Sequence, residues 1–242
     1  MTGPFAWFKW EALFKDWTIF RDGFLTTLTV SLLGLALALV LGVFFGILSA
    51  SKIKILEVIS RVYVEFIQNT PLLIQVLFLY NGLPLIANIV LPEVTIGVLG
   101  VGIYHGAYIA EVVRGGILSI NKGQLEAALS QGFNYWEAMR YIILPQAKVV
   151  MLPPLTNQAV NLIKNTSVLA IIAGGDLMYR TDSWALDRMY YGPAYVVSGL
   201  LYLAICLPLA TLARKLEASD YSNIQHVVED EPDLSYKREA TA

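Results

Sequence analysis

The chain has 242 residues, 56% of them hydrophobic and only 15% charged, with a net charge of −2 and a mean hydropathy of +0.59. A soluble domain of this size carries about 25% charged residues, so the composition points to a membrane protein, and the near-neutral charge gives no reason to expect nucleic acid as a partner. One cysteine, Cys206, and two distant histidines, His105 and His226, exclude an internal disulfide and a cysteine metal site and argue against a histidine-rich metal centre; no cofactor is expected.

Residues 1–22 open with Trp7, Trp10, Leu13, Phe14 and Trp17 near helical spacing, interleaved with Lys9, Glu11, Lys15 and Asp16. This pattern predicts an interfacial amphipathic helix with its tryptophans at headgroup level, an anchor rather than a site. From Phe24 to Ser49 run 26 residues without a charge. That is too long for the apolar core of a signal peptide, and Lys52 and Lys54 follow as a stop-transfer flank does.

A helix crosses a bilayer with about 20 apolar residues. On that rule spans are predicted at Phe24–Ser49, Leu72–Leu91, Thr95–Leu118, Val149–Ala173 and Pro193–Arg214, with Pro84 placed to break the second early. Lys52, Lys54 and Arg61 follow the first span; Lys122, Arg140 and Lys148 surround the insert after the third; Arg214 and Lys215 follow the fifth. The link between spans two and three has no Lys or Arg. The positive-inside rule then gives an all-α membrane protein of about five transmembrane helices, N-terminus outside and C-terminus inside. Arg180 and Arg188 fall outside, accompanied by Asp176, Asp182 and Asp187.

Within the spans, Gly42 and Gly46, and Gly102 and Gly106, form small-xxx-small pairs that suit close helix packing. Glu111 and Arg114, three apart on one helix, are placed to neutralise each other. His105, beside Gly106, is either a hydrogen-bonded core residue, the preferred reading, or a pathway residue. Cys206 sits in an apolar run as a packing residue.

The insert, residues 121–148, is polar between two apolar stretches. Asn121 with Gln124, and Asn134 with Glu137, fit capping boxes. Gly132 is placed to end the first helix in a left-handed conformation, and Pro145 to end or kink the second. The local chemistry predicts a helix–Gly–helix unit with Phe133, Tyr135 and Trp136 projecting from the bend. Its Glu126-Ala127-Ala128, Gly132 and Ile143-Leu144-Pro145-Gln146-Ala147 resemble the EAA loop of ABC-importer permeases, in register over about 22 residues.

That resemblance implies a coupling loop docking in a groove of a separate ATPase, through Glu126, Ala127, Ala128 and Gly132 with Trp136 beside them. It extends over about residues 23–215. Asn69-Thr70-Pro71-Leu72-Leu73-Ile74-Gln75, Tyr108 to Ile117, Leu152-Pro153-Pro154-Leu155 and Lys164-Asn165-Thr166-Ser167 resemble permeases for polar amino acids. The implied assembly is a five-helix permease paired with a copy of itself or a sister permease, a pair of ABC ATPase subunits and an extracytoplasmic solute-binding protein, in a bacterial inner membrane. The chain has no GxxxxGK[ST] loop of its own.

On span four, Asn157, Gln158, Asn161, Lys164 and Asn165 fall within a 120° arc at 100° per residue. Such a stripe is costly against lipid, so it either bonds neighbouring helices or lines a substrate pathway. Some permeases of this family, notably those for cationic amino acids, carry acids where Gln158 and Asn165 stand here. With no negative charge and one positive, the stripe suits neutral polar or acidic amino acids better than cationic ones, although the family keeps a lysine at position 164 whatever the substrate. Two other classes fit less well. An ion-coupled secondary transporter or channel usually shows repeated halves, which five spans do not give. A membrane enzyme would need a metal-ligand cluster or an activated nucleophile. The polar tail, 216–242, with Glu229-Asp230-Glu231-Pro232-Asp233, is expected to lack structure.

Overall fold

The computed structural model describes residues 3–51 and 53–229, with side chains as far as residue 215. Among them every regular element is helical. In chain order these are α1 (Trp7–Lys15), α2 (Trp17–Ser49), α3 (Lys54–Gln68), α4 (Leu72–Leu77), a π-turn (Phe78–Gly82), α5 (Leu83–Ala87), α6 (Glu93–Leu118), α7 (Lys122–Ser130), α8 (Tyr135–Ala138), a second π-turn (Met139–Ile143), α9 (Leu144–Asn165), a 3-10 segment (Thr166–Ile172), α10 (Leu177–Arg188) and α11 (Tyr191–Glu229).

The centre of the fold is the pair α2 and α6, held together by interlocking glycines. Gly34 and Gly46 on α2 receive Val101 and Val113 of α6, while Gly102 and Gly106 receive Leu37 and Leu41 in return. The numbers rise together, so the two helices run parallel, and the chain between them must run back. It does so in two pieces. The amphipathic α3 lies obliquely, Ser60 Oγ donating to the Phe45 carbonyl at 2.7 Å and Tyr63 OH to that of Ile103 at 2.7 Å. A 97° bend follows, and α4–α5 then runs antiparallel to α6, with Gln68 bonded to the Ala107 carbonyl and Val76 packed against Gly100.

The expected single span Leu72–Leu91 is therefore corrected. Helix ends at Ala87, with Asn88 left-handed at φ 53°, and Pro84 sits in the first turn of α5 after the π-turn, where its missing N–H breaks no bond. The amphipathic α3 before it was not foreseen.

Helix α9 runs antiparallel to α6: Gly116 meets Met151 near one end and Gly97 meets Leu169 near the other. Its 22 residues give about 33 Å of helix, enough for a ~30 Å hydrocarbon layer. Three described helices are long and apolar enough to cross a membrane, within Trp17–Ser49, Glu93–Leu118 and Tyr191–Lys215, and the bent pair α3 with α4–α5 makes up to four. Helix α9 falls short only because of its polar residues.

One end of the bundle collects α1, the starts of α2 and α11, and α10. Leu13, Phe20, Leu177, Trp184 and Val197 form its core. Asp16, at the corner between α1 and α2, accepts from Trp184 Nε1 at 2.8 Å and pairs with Arg188 at 2.7 Å, so α10 locks that corner. Trp7 stays 71% exposed while Leu13 is buried. Helix α11 continues to Glu229, past Ser219, where the chain was expected to lose structure; elongating a helix already formed needs no new nucleus. Residues 230–242 of the expected tail lie outside the described residues.

Candidate coupling loop and translocation pocket

The opposite end of the bundle carries the insert. Helix α7 stops because Gly132 turns left-handed at φ +91°. The Phe133 N–H then donates to Ala128 and the Gly132 N–H to Leu129, the paired bonds that satisfy a helix's last carbonyls. At α8 the capping box is complete. Asn134 accepts from the Glu137 N–H at 3.0 Å, and Glu137 accepts from the Asn134 N–H at 2.8 Å. The box expected at Asn121 is half formed: its side chain accepts from the Gly123 N–H at 2.8 Å, and Gln124 makes no return bond among the described residues.

The second helix does not end at Pro145. One α-turn, Tyr135–Ala138, passes through the π-turn into α9 with right-handed helical torsions throughout. The π-turn lies just before Pro145, where wider bonding can accommodate a residue without an N–H. The second helix of the insert is thus helically continuous with α9. Ala128 faces the bundle and is buried, whereas Glu126, Ala127 and Gly132 are exposed and Trp136 is 72% exposed. Between this loop and the end of α2 lies an apolar groove of about 670 Å³, with Ile47, Ile53, Ile117, Trp136 and Met139 on its walls.

Halfway along the bundle, α6 and α9 flank an open polar pocket of about 400 Å³. Gln158, Asn161, Lys164 and Asn165 form one wall, and Tyr104, His105 and Tyr108 the other. His105 is 2% exposed and spans the two helices. Its Nδ1 lies 3.1 Å from Gln158 Oε1, and its Nε2 accepts from Asn165 Nδ2 at 3.0 Å. The hydroxyls of Tyr104 and Tyr108 share a hydrogen bond of 3.2 Å. Among the described residues no carboxylate pairs with Lys164, whose side chain is exposed.

Of the five stripe residues, four converge here; Asn157 is exposed and is not on the pocket wall. The bonds of His105 are internal, in line with the hydrogen-bonded core reading, and its ring also lines the cavity. Tyr104 and Tyr108 were missed. Their spacing of four, with His105 between, was the available signal for a polar face on an otherwise apolar helix. Glu111 and Arg114 pair at 2.7 Å on that helix. Among the described residues no His, Cys, Asp and Glu cluster is placed to hold a metal.

Residues 42–219 match the family described as binding-protein-dependent transport system inner membrane component. The chain belongs to that family. It is a multi-pass inner-membrane permease of the polar amino acid ABC-importer kind, a transport component rather than an enzyme. Among the relatives of this permease, a probable glutamine ABC transporter permease protein, GlnM, of Bacillus subtilis (strain 168) is 42% identical over 86% of this chain and 97% of its own length. The glutamine transport system permease protein GlnP of Escherichia coli (strain K12) is 36% identical over 87% of this chain and 96% of its own. A crystal structure of an amino acid ABC transporter with histidines superposes with a TM-score of 0.78 at 32% identity, over 86% of this chain and 97% of that one. A permease chain of the methionine ABC transporter MetNI, inward facing, shares the fold at a TM-score of 0.61 and 16% identity.

Proposed function

We propose that this permease carries a neutral polar or acidic amino acid, glutamine foremost, through the pocket between α6 and α9, powered by an ATPase pair bound at the insert. One observation carries the reading: amides, phenols, an imidazole and one lysine converge on a cavity with no carboxylate on its wall among the described residues. Lys164 suits the α-carboxylate that every amino acid presents and repels a cationic side chain. A volume of about 400 Å³ suits a small ligand. The glutamine in the names of relatives 42% and 36% identical supports the same substrate class.

Coupling is assigned to Glu126, Ala127, Ala128, Gly132 and Trp136. The unbroken helical passage from α8 into α9, which also bears Gln158, Asn161, Lys164 and Asn165, supports this. A push on the insert would be delivered along α9 to the pocket wall. The bundle direction and the basic residues favour five crossings with the N-terminus outside, counting α4–α5 and α9 with its 3-10 segment as spans. A second permease copy or sister permease and an extracytoplasmic binding protein complete the assembly, and α1 anchors at the lipid interface.

The test is uptake into proteoliposomes that hold the permease pair and its ATPase, with the binding protein outside and ATP inside. Labelled glutamine should enter, ATP-dependently and without an ion gradient, and arginine should not compete. Uptake by the permease alone on an ion gradient would overturn the energy assignment. Transport of arginine as fast as glutamine would overturn the substrate assignment.

A further inference from the structure

We infer that His105 sets the selectivity of this pocket for a carboxamide over a carboxylate by locking the amides of Gln158 and Asn165 in opposite senses. The inference rests on reading the pocket as the substrate site. Its basis is a count of donors and acceptors. Gln158 Oε1 lies 3.1 Å from Nδ1 and Asn165 Nδ2 lies 3.0 Å from Nε2 of the same ring. An unprotonated imidazole has one N–H and one lone pair. That form fits the contacts seen, because an amide nitrogen 3.0 Å from Nε2 donates and needs a lone pair there.

In the arrangement seen, Nδ1–H donates to Gln158 and Nε2 accepts from Asn165. Exchanging the ring tautomer and turning both amides gives the only other satisfied arrangement. In either one, one amide shows the pocket its NH2 and the other its carbonyl. Gln158 and Asn165 both line the pocket, and among the described residues neither leaves a buried side-chain polar atom without a partner.

A primary carboxamide offers one carbonyl and one NH2, a complement to the NH2 and the carbonyl that the two amides present. A carboxylate offers two acceptors, so one oxygen must face a carbonyl. His105 does not need to touch the substrate; it is a positioning residue that acts through two side chains. Lys164 attracts any carboxylate, so this pairing, not net charge, is what would separate glutamine from glutamate.

The experiment is equilibrium binding of labelled glutamine and glutamate to the purified permease–ATPase complex, without the binding protein, so that the pocket alone is read. The wild-type complex should hold glutamine about tenfold more tightly than glutamate or better, the effect of one mispaired buried acceptor. His105→Leu should bring the ratio to within about threefold of unity. His105→Gln, whose amide again carries one donor and one acceptor, should keep it near the wild-type value. Lys164→Met should weaken both ligands together. Glutamate bound as tightly as glutamine by the wild type, or a wild-type ratio in an assembled His105→Leu complex, overturns the inference while the Lys164→Met result upholds the site. No change in either ligand with either variant overturns the site, and the inference with it.

Discussion

Gly42 on α2 and Ile109 on α6 stand so close that a methyl group on the glycine would overlap the isoleucine Cγ2 and Cβ. The same holds one turn on, where a Cβ on Gly46 would lie 2.6 Å from that of Val113. With no hydrophobic drive between helices in lipid, such contact, together with interhelical hydrogen bonds, is what holds them together. It also fixes the height of His105 on α6 relative to everything packed on α2.

Gly42→Val is therefore expected to destabilise the permease by about 1–3 kcal/mol, the range for overpacking. Gly115 lies on the same α6 with nothing within 4 Å of a Cβ. Gly115→Ala should leave stability unchanged or raise it by up to about 1 kcal/mol through helix propensity. Thermal unfolding of the two variants in detergent checks the contrast; equal shifts would contradict the interlock.

Gly132→Val places a β-branched residue at φ +91°, a strain of about 1–2 kcal/mol or more, and should distort the end of α7 without touching the spans. Glu126→Lys reverses an exposed charge there. Both are expected to insert normally and to lose most ATP-driven uptake. Full uptake by both variants in proteoliposomes would remove the insert from the coupling role.

The parts of this fold legible from sequence are those where lipid imposes a single demand. The helices α2, α6 and α11 follow from apolar runs, and the pocket wall follows from the cost of amides in a membrane helix. Gly132 and the Asn134–Glu137 box were legible because local backbone geometry decides them. A helical wheel gives direction but neither depth nor neighbours, so Asn157 shared the arc of Gln158 without sharing its pocket. The 97° turn between α3 and α4 and the two π-turns were not legible. Each depends on what the segment packs against: α3 is shaped by bonds from Ser60 to Phe45 and from Tyr63 to Ile103, and no pattern within α3 announces them.

Asp176, in the connection before α10, gives a pH prediction. It is fully buried and caps α10 by accepting from the Met178 N–H at 3.0 Å and the Tyr179 N–H at 3.4 Å. Burial raises its pKa from 3.8 to about 6, although these bonds oppose the rise. The folded state thus binds the proton more tightly than the unfolded chain. The corresponding stability is fully present below pH ~4 and is lost as pH rises to ~6. Asp176→Asn keeps a good cap without the charge. It should be more stable than wild type at pH 7, by an amount of the order of 2–3 kcal/mol, and the difference should shrink on acidification. A difference that is flat between pH 4 and 7 would refute the assignment.

The last prediction concerns substrate charge. Gln158→Glu with Asn165→Asp places carboxylates against both nitrogens of His105, at positions where hydrogen bonds of 3.1 and 3.0 Å now stand. The ring between them would take up a proton, so the pocket gains one net negative charge rather than two. A unit charge about 4 Å from a substrate charge, at an effective dielectric near 20, contributes about 4 kcal/mol, and a third of that is about tenfold. Glutamate uptake should fall by at least this factor and arginine should begin to compete. Glutamine should change less, because its side chain is neutral. Insertion and ATPase stimulation must be read alongside, since a misassembled variant would lower all three equally. An assembled double variant with an unchanged order among glutamine, glutamate and arginine would mean that Gln158 and Asn165 bond α9 to α6 and leave the choice of substrate to other residues.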